Sequence, residues 1–180
     1  MLPETIGGLP FHALIVHFTV VLLPVAAVGS LLTAVWPAVR RRFGWLTVAA
    51  AVVSTVLVPI TTSSGDDLKE GLGGGNPLID KHEALADMML WWALGMTVAV
   101  IALMILHEVT ERQATTEPDI DGGGSVATAT TTKRLTGLTV GLVVAMLATV
   151  ALSIGTGVHI YRVGDAGAHA VWQDVGTNLK

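Results

Sequence analysis

Four apolar stretches separated by short polar segments set the plan of the chain, at 10–36, 45–62, 82–107 and 135–158. A helix rises ~1.5 Å per residue, and about 20 apolar residues cross the hydrocarbon of a bilayer, so each stretch reaches or approaches a spanning length. The acidic and basic side chains fall almost wholly between the stretches. This pattern predicts an all-α fold. The expected architecture is a four-transmembrane-helix antiparallel bundle, with residues 1–180 forming a single membrane domain.

The segments between the stretches add detail. Pro24 lies inside the first span and is expected to kink it, because proline removes a backbone donor and crowds the preceding turn. Residues 61–65, Thr-Thr-Ser-Ser-Gly, read as the unwinding end of the second span, followed by a polar turn over 66–70 and a glycine-rich loop over 71–77. Asp80 is placed to cap the third helix, with Glu83 at the capping-box spacing. Residues 108–134 read as a flexible cytoplasmic loop, and 159–180 as a short extracytoplasmic tail. In the fourth stretch, Gly137, Gly141, Ala148, Ala151 and Gly155 fall within one arc of the helical wheel, the pattern of a close-packing seam.

Charge orients the bundle. Arg40, Arg41 and Arg42 follow the first span at once, and cytoplasmic loops are the ones enriched in Lys and Arg. With that loop inside, the two inner loops carry six basic residues against five acids, and the three outer segments carry nine acids against four basic residues. Both termini are therefore expected to be extracytoplasmic.

Composition agrees and excludes much else. Hydrophobic residues make up 52% of the chain, charged residues 13%, and the mean hydropathy is +0.66, far from an ordinary soluble domain. There is no cysteine, which excludes disulfides, thiolate catalysis and cysteine-ligated zinc or iron–sulfur centres. No basic tract with interleaved aromatics points to nucleic acid. The residues before the first span hold Glu4 and neither Lys nor Arg, unlike the basic start of a signal peptide. Nor is there a nucleophile triad, phosphate loop, dinucleotide fingerprint or zincin motif, so no catalytic residues are assigned and the reading leans away from an enzyme.

The candidate chemistry is imidazole. His12 and His17 lie near the outer end of the first span, His82 opens the third and His159 closes the fourth. Ionisable groups in a membrane are costly unless they face a bundle interior or water. Asp66, Glu83 and Asp87 reach the same side, so imidazole and carboxylate converge there from several helices, a donor set suited to a transition metal or to axial ligation of haem. His12 and His17 stand ~8 Å apart in depth and about 140° apart around a regular helix, so they are expected to do different jobs. His17, His82 and His12 are the candidate ligands of a metal or haem, with His17 and His82 leading. Asp66, Glu83, Asp87 and His159 are the candidate supporting groups.

The stretch His12-Ala13-Leu14-Ile15-Val16-His17-Phe18 resembles the "HPLLVHFP" opening of the bacterial membrane proteins grouped as the domain of unknown function 2231. The similarity continues through Gly65-Asp66, His82 and the glycine-rich fourth span. It ends on residues 161–172, Tyr-Arg-Val-Gly-Asp-Ala-Gly-Ala-His-Ala-Val-Trp, which resemble the family's "YRxGxxGAxAVW". Family prolines are replaced here by Ala13 and Thr19, and some relatives hold histidine where this chain has Asp165. The family's occasional joining to Rieske or cytochrome c modules implies an electron-transfer setting, which favours haem b or a redox metal over zinc. Partners implied are the lipid bilayer and a redox partner or other membrane subunits. The alternative is a non-redox accessory or small transport subunit that responds to pH through titrating histidines.

Overall fold

A computed structural model describes residues 5–71, 73–116 and 127–177. A two-residue antiparallel ladder opens the chain, β1 (Thr5–Ile6) against β2 (Leu9–Pro10). The turn between them is Gly7-Gly8, with φ of +60° and +82°. Side chains rarely tolerate positive φ at two successive positions, and this two-residue hairpin turn requires it.

Four helices follow: α1 (Phe11–Val35), α2 (Pro37–Gly71), α3 (Pro77–Thr116) and α4 (Ala127–Thr177). All four are long and apolar enough to cross a membrane, with mean hydropathies of 2.0 to 2.3 over their most apolar windows. Phe18, Leu46, Trp91 and Leu147 are each about two-thirds exposed or more as the chain stands alone, which suits side chains that meet lipid.

Helices α2, α3 and α4 run well past the apolar stretches, and this corrects several expectations. Residues 61–70 continue α2 rather than unwinding or forming a separate turn. The segments 108–116 and 127–134 belong to α3 and α4, so most of the expected loop is helical, and 117–126 lies outside the described residues. The expected tail is helix as far as Thr177. Apolar periodicity marks only the part of a helix that meets lipid, so polar extensions escape it. Helix α1 runs unbroken through Pro24, and α2 through Pro59. The cap of α3 is Asn76 and not Asp80: its Oδ1 accepts from the Leu78 and Ile79 amides at 2.9 and 3.1 Å, and Pro77 takes the first helical position.

The helices form a ring in chain order, α1 on α2, α2 on α3, α3 on α4 and α4 back on α1, with only slight α1–α3 contact across the diagonal. Level is fixed by contacts: Thr19 meets Thr61 and Thr33 meets Thr47 between α1 and α2, Thr55 meets Thr97 between α2 and α3, and Thr156 meets Trp92 between α3 and α4. Leu23, Met96, Val100 and Leu103 fill the middle and are wholly buried. On α4, Gly155 and Gly141 of the small-residue seam face α3: a Cβ added at Gly155 would lie 2.2 Å from Trp92 Cζ3, and one at Gly141 would lie 3.7 Å from Leu106 Cδ1. Only at Gly155 is the approach too close for a side chain; at Gly141 a Cβ would make ordinary contact.

Candidate functional site

At one end of the bundle, two imidazoles are held in matching ways by neighbouring helices. His12, in the first turn of α1, points its Nδ1 at the Thr61 carbonyl, 3.2 Å away, and at Ser64 Oγ, 3.1 Å away, both on α2. Ser64 gives its own hydroxyl proton to the Thr61 carbonyl. A carbonyl can only accept, so His12 Nδ1 carries the proton and donates it. His82, in the second turn of α3, donates from Nδ1 to the Val163 carbonyl of α4 at 2.9 Å.

A glycine seats each ring. A Cβ added at Gly65 would stand 3.2 Å from His12 Cε1, and one added at Gly167 would stand 3.0 Å from His82 Cε1. Thr61 and Gly65 are four residues apart on α2, and Val163 and Gly167 are four apart on α4. One turn of helix thus offers a carbonyl to the ring nitrogen and a bare Cα to the ring edge. The hairpins α1–α2 and α3–α4 repeat this device, and with both Nδ1 atoms engaged, neither Nε2 has a hydrogen bond among the described residues.

The remaining sequence candidates divide. His159 is buried, donates from Nε2 to the Leu85 carbonyl at 2.8 Å and stacks on Trp92 with ring centroids 6.1 Å apart, so it joins α4 to α3. His17 is exposed and turned back on its own helix, where its Nδ1 donates to the Ala13 carbonyl. The expected divergence around α1 puts His12 against α2 and leaves His17 outside the pair that His12 and His82 make.

Asp66 is exposed and lies within electrostatic reach of His12, Glu83, Asp87 and Asp67. His12 and His82 are within electrostatic reach of one another. Glu83 and Asp80 both bind Lys69 Nζ, at 2.5 and 2.8 Å, which ties α2 to the start of α3. Glu83 is therefore an ion-pair partner rather than half of a capping box. Asp87 is exposed, with no hydrogen bond or ion pair to His82 or Lys81 among the described residues.

Among the described residues no group of three or more His, Asp and Glu side chains is arranged to hold a metal ion. The arrangement supplies two imidazole nitrogens rather than a closed cage. The residues that the sequence reading missed are Thr61, Ser64, Val163, Gly167 and Leu85. Three of them act through a backbone carbonyl, which leaves no trace in residue type; the shared four-residue spacing of Thr61–Gly65 and Val163–Gly167 was the available signal.

An apolar groove of about 670 Å³ runs between α3 and α4 along Trp91, Gly95, Ala99, Gly141 and Ala148, apart from the histidines. No curated protein and no solved structure matches the chain. A family model described as a predicted membrane protein, DUF2231, matches residues 8–180. With four helices able to span a bilayer and a match over nearly the whole length, the chain belongs to the DUF2231 family of membrane proteins.

Proposed function

We propose that His12 and His82 are the protein ligands of haem b or a redox metal in an electron-transfer chain. The setting is an antiparallel four-helix bundle in the bacterial inner membrane, with both termini extracytoplasmic. One observation carries the reading: each imidazole has Nδ1 fixed on a carbonyl of the next helix, leaving Nε2 as a lone-pair donor. Ligating histidines almost always donate the other ring N–H in this way, which sets the tautomer and the ring orientation.

The two imidazoles would hold a group that takes two nitrogen ligands, and they do not supply the four protein ligands of a structural zinc site. Such a group, when bound, supplies one-electron chemistry. The chain's own contribution is to hold two nitrogens and to seat the rings on Gly65 and Gly167.

Purified protein is expected to show a Soret band or a stoichiometric redox metal. His12→Ala and His82→Ala are each expected to abolish it, and His17→Ala to leave it in place. Colourless, metal-free protein, or loss with His17→Ala alone, refutes the assignment. The carboxylates of Asp66, Glu83 and Asp87 around the histidine pair favour a second reading, an accessory or transport subunit that titrates with external pH. Partner binding or transport that changes between about pH 5 and 8 in colourless protein supports that one.

A further inference from the structure

A seam of hydroxyls runs the length of the bundle interior. On α2, Thr47, Ser54 and Thr61 recur every seven residues, two turns apart on one face. On α4, Thr149, Ser153 and Thr156 follow one another at four and three residues and lead to His159. Helix α1 adds Thr19, Ser30 and Thr33, and α3 adds Thr97. Of these hydroxyl residues, all but Thr61 are buried.

The cross-helix contacts arrange the groups by depth. His12 and Ser64 come first, then Thr19 with Thr61 at 2.7 Å, then Thr55 with Thr97 at 2.8 Å, then Thr33 with Thr47 at 3.3 Å. The last pair meets Arg40, whose Nε donates to the Thr33 carbonyl at 2.9 Å and whose Nη2 donates to that of Ala34. Arg40 is only 4% exposed, and no carboxylate lies within ion-pair distance of it among the described residues.

Hydroxyls in membrane helices often serve as packing glue, bonding back to a carbonyl one turn earlier. Ser54 and Thr149 do so, each at 2.7 Å. Ser30 and Ser153 do not: both are buried and neither Oγ has a hydrogen-bond partner among the described residues. Ser30 stands one turn before Thr33 on α1, and Ser153 stands between Thr149 and Thr156 on α4. An unpaired buried hydroxyl is costly, and internal water is the usual partner for one.

We propose that water held by Ser30 and Ser153 joins this seam into a proton relay from the His12 end of the bundle, closed at the far end by the Arg40 cation. Each hydroxyl or water takes a proton on an oxygen lone pair and releases its other O–H proton to the next oxygen, so one proton enters as one leaves. A guanidinium fixed at that end of the bundle repels the moving charge, the device by which arginine bars protons from water-filled pores. The relay does not depend on the haem or redox-metal assignment, and its test reads proton flux and stability rather than colour.

The full chain is reconstituted in liposomes holding a pH-sensitive dye, with an imposed potassium diffusion potential. Wild type is expected to be tight. Arg40→Gln is expected to raise proton flux about tenfold or more, the factor that a barrier lower by about 1.4 kcal/mol gives. Adding Ser30→Ala and Ser153→Ala to Arg40→Gln is expected to return the flux to the wild-type level, with a trapped anionic dye retained throughout. A folded Arg40→Gln protein that stays tight, a flux insensitive to the serines, or escape of the trapped dye overturns the proposal. Should Arg40→Gln fail to fold, the serine substitutions in the otherwise unaltered chain decide. Removing a dry, unpaired hydroxyl raises the thermal midpoint, and removing one that holds water does not. A rise with both Ser30→Ala and Ser153→Ala therefore overturns the proposal, and no rise upholds it.

Discussion

Replacing Gly155 by alanine tests how α4 is fitted to α3. A Cβ at this position would lie 2.2 Å from Trp92 Cζ3, 2.8 Å from Cε3 and 3.0 Å from Cη2. Carbon atoms rest at about 3.5–4.0 Å, so the indole or the helix has to move by roughly 1.3 Å or more. Trp92 has little room to do so. Its other neighbours include the His159 ring, and the Thr156 hydroxyl donates to its carbonyl at 3.2 Å. Overpacking of this kind costs about 1–3 kcal/mol. Gly157, two residues along the same helix, has nothing within 4 Å of an added Cβ and serves as the reference. Both substitutions gain the same helix propensity, at most about 1 kcal/mol, which cancels between them. In detergent, equilibrium or thermal unfolding is expected to place Gly155→Ala below Gly157→Ala by about 1–3 kcal/mol. Combining Gly155→Ala with Trp92→Phe should recover part of the loss, as expected for residues in contact. Equal stability of Gly155→Ala and Gly157→Ala, or strict additivity in the double substitution, refutes the close approach as the cause.

Gly44→Ala meets Met104 Sδ and Cε just as closely, but a thioether swings where an indole cannot, so unfolding should rank it as less costly than Gly155→Ala. Thr97→Val removes the hydroxyl that binds Thr55 at 2.8 Å and the Ala51 carbonyl at 3.2 Å, and should cost about 0.6 kcal/mol, up to about 1.7, the range of interhelical hydrogen bonds in a membrane bundle. Asn76→Ala strips the α3 cap and should cost about 1 kcal/mol, whereas Asp80→Ala should leave the cap intact. Lys69→Ala breaks the exposed ties to Asp80 and Glu83, and the resulting drop in midpoint at low salt should vanish at high salt, as exposed pairs are screened. A drop that persists at high salt contradicts that account.

The histidines show how far sequence reasoning reaches and where it stops. Spacing alone separated His12 from His17, because about 100° per residue is a property of any helix. It did not tell which of the two turns inward. That depended on which face of α1 lies on α2: α2 presents a carbonyl and a glycine to His12, whereas His17 is exposed and bonds back to Ala13 of its own helix. The pairing of His82 with Val163 spans 81 residues and ends on a backbone atom, so no residue type announces it. Asp80 and Glu83 had the spacing of a helix-start motif, yet Lys69 from the preceding helix claimed both side chains. A local rule yields wherever a neighbouring element offers a stronger partner.

Four spans, their approximate centres and the location of the imidazoles followed from the sequence, because burying about 20 apolar residues in hydrocarbon is a property of composition and length. The lengths of the helices beyond the bilayer did not, since polar turns lose the apolar contrast that marks a span. Packing decided the rest. Ring order around the bundle sets which carbonyl faces which imidazole, where Gly155 meets Trp92, and how hydroxyls scattered from Thr19 to Thr156 come to share one interior. Those are relations between faces of different helices, and a linear pattern carries the period of each face but not its partner.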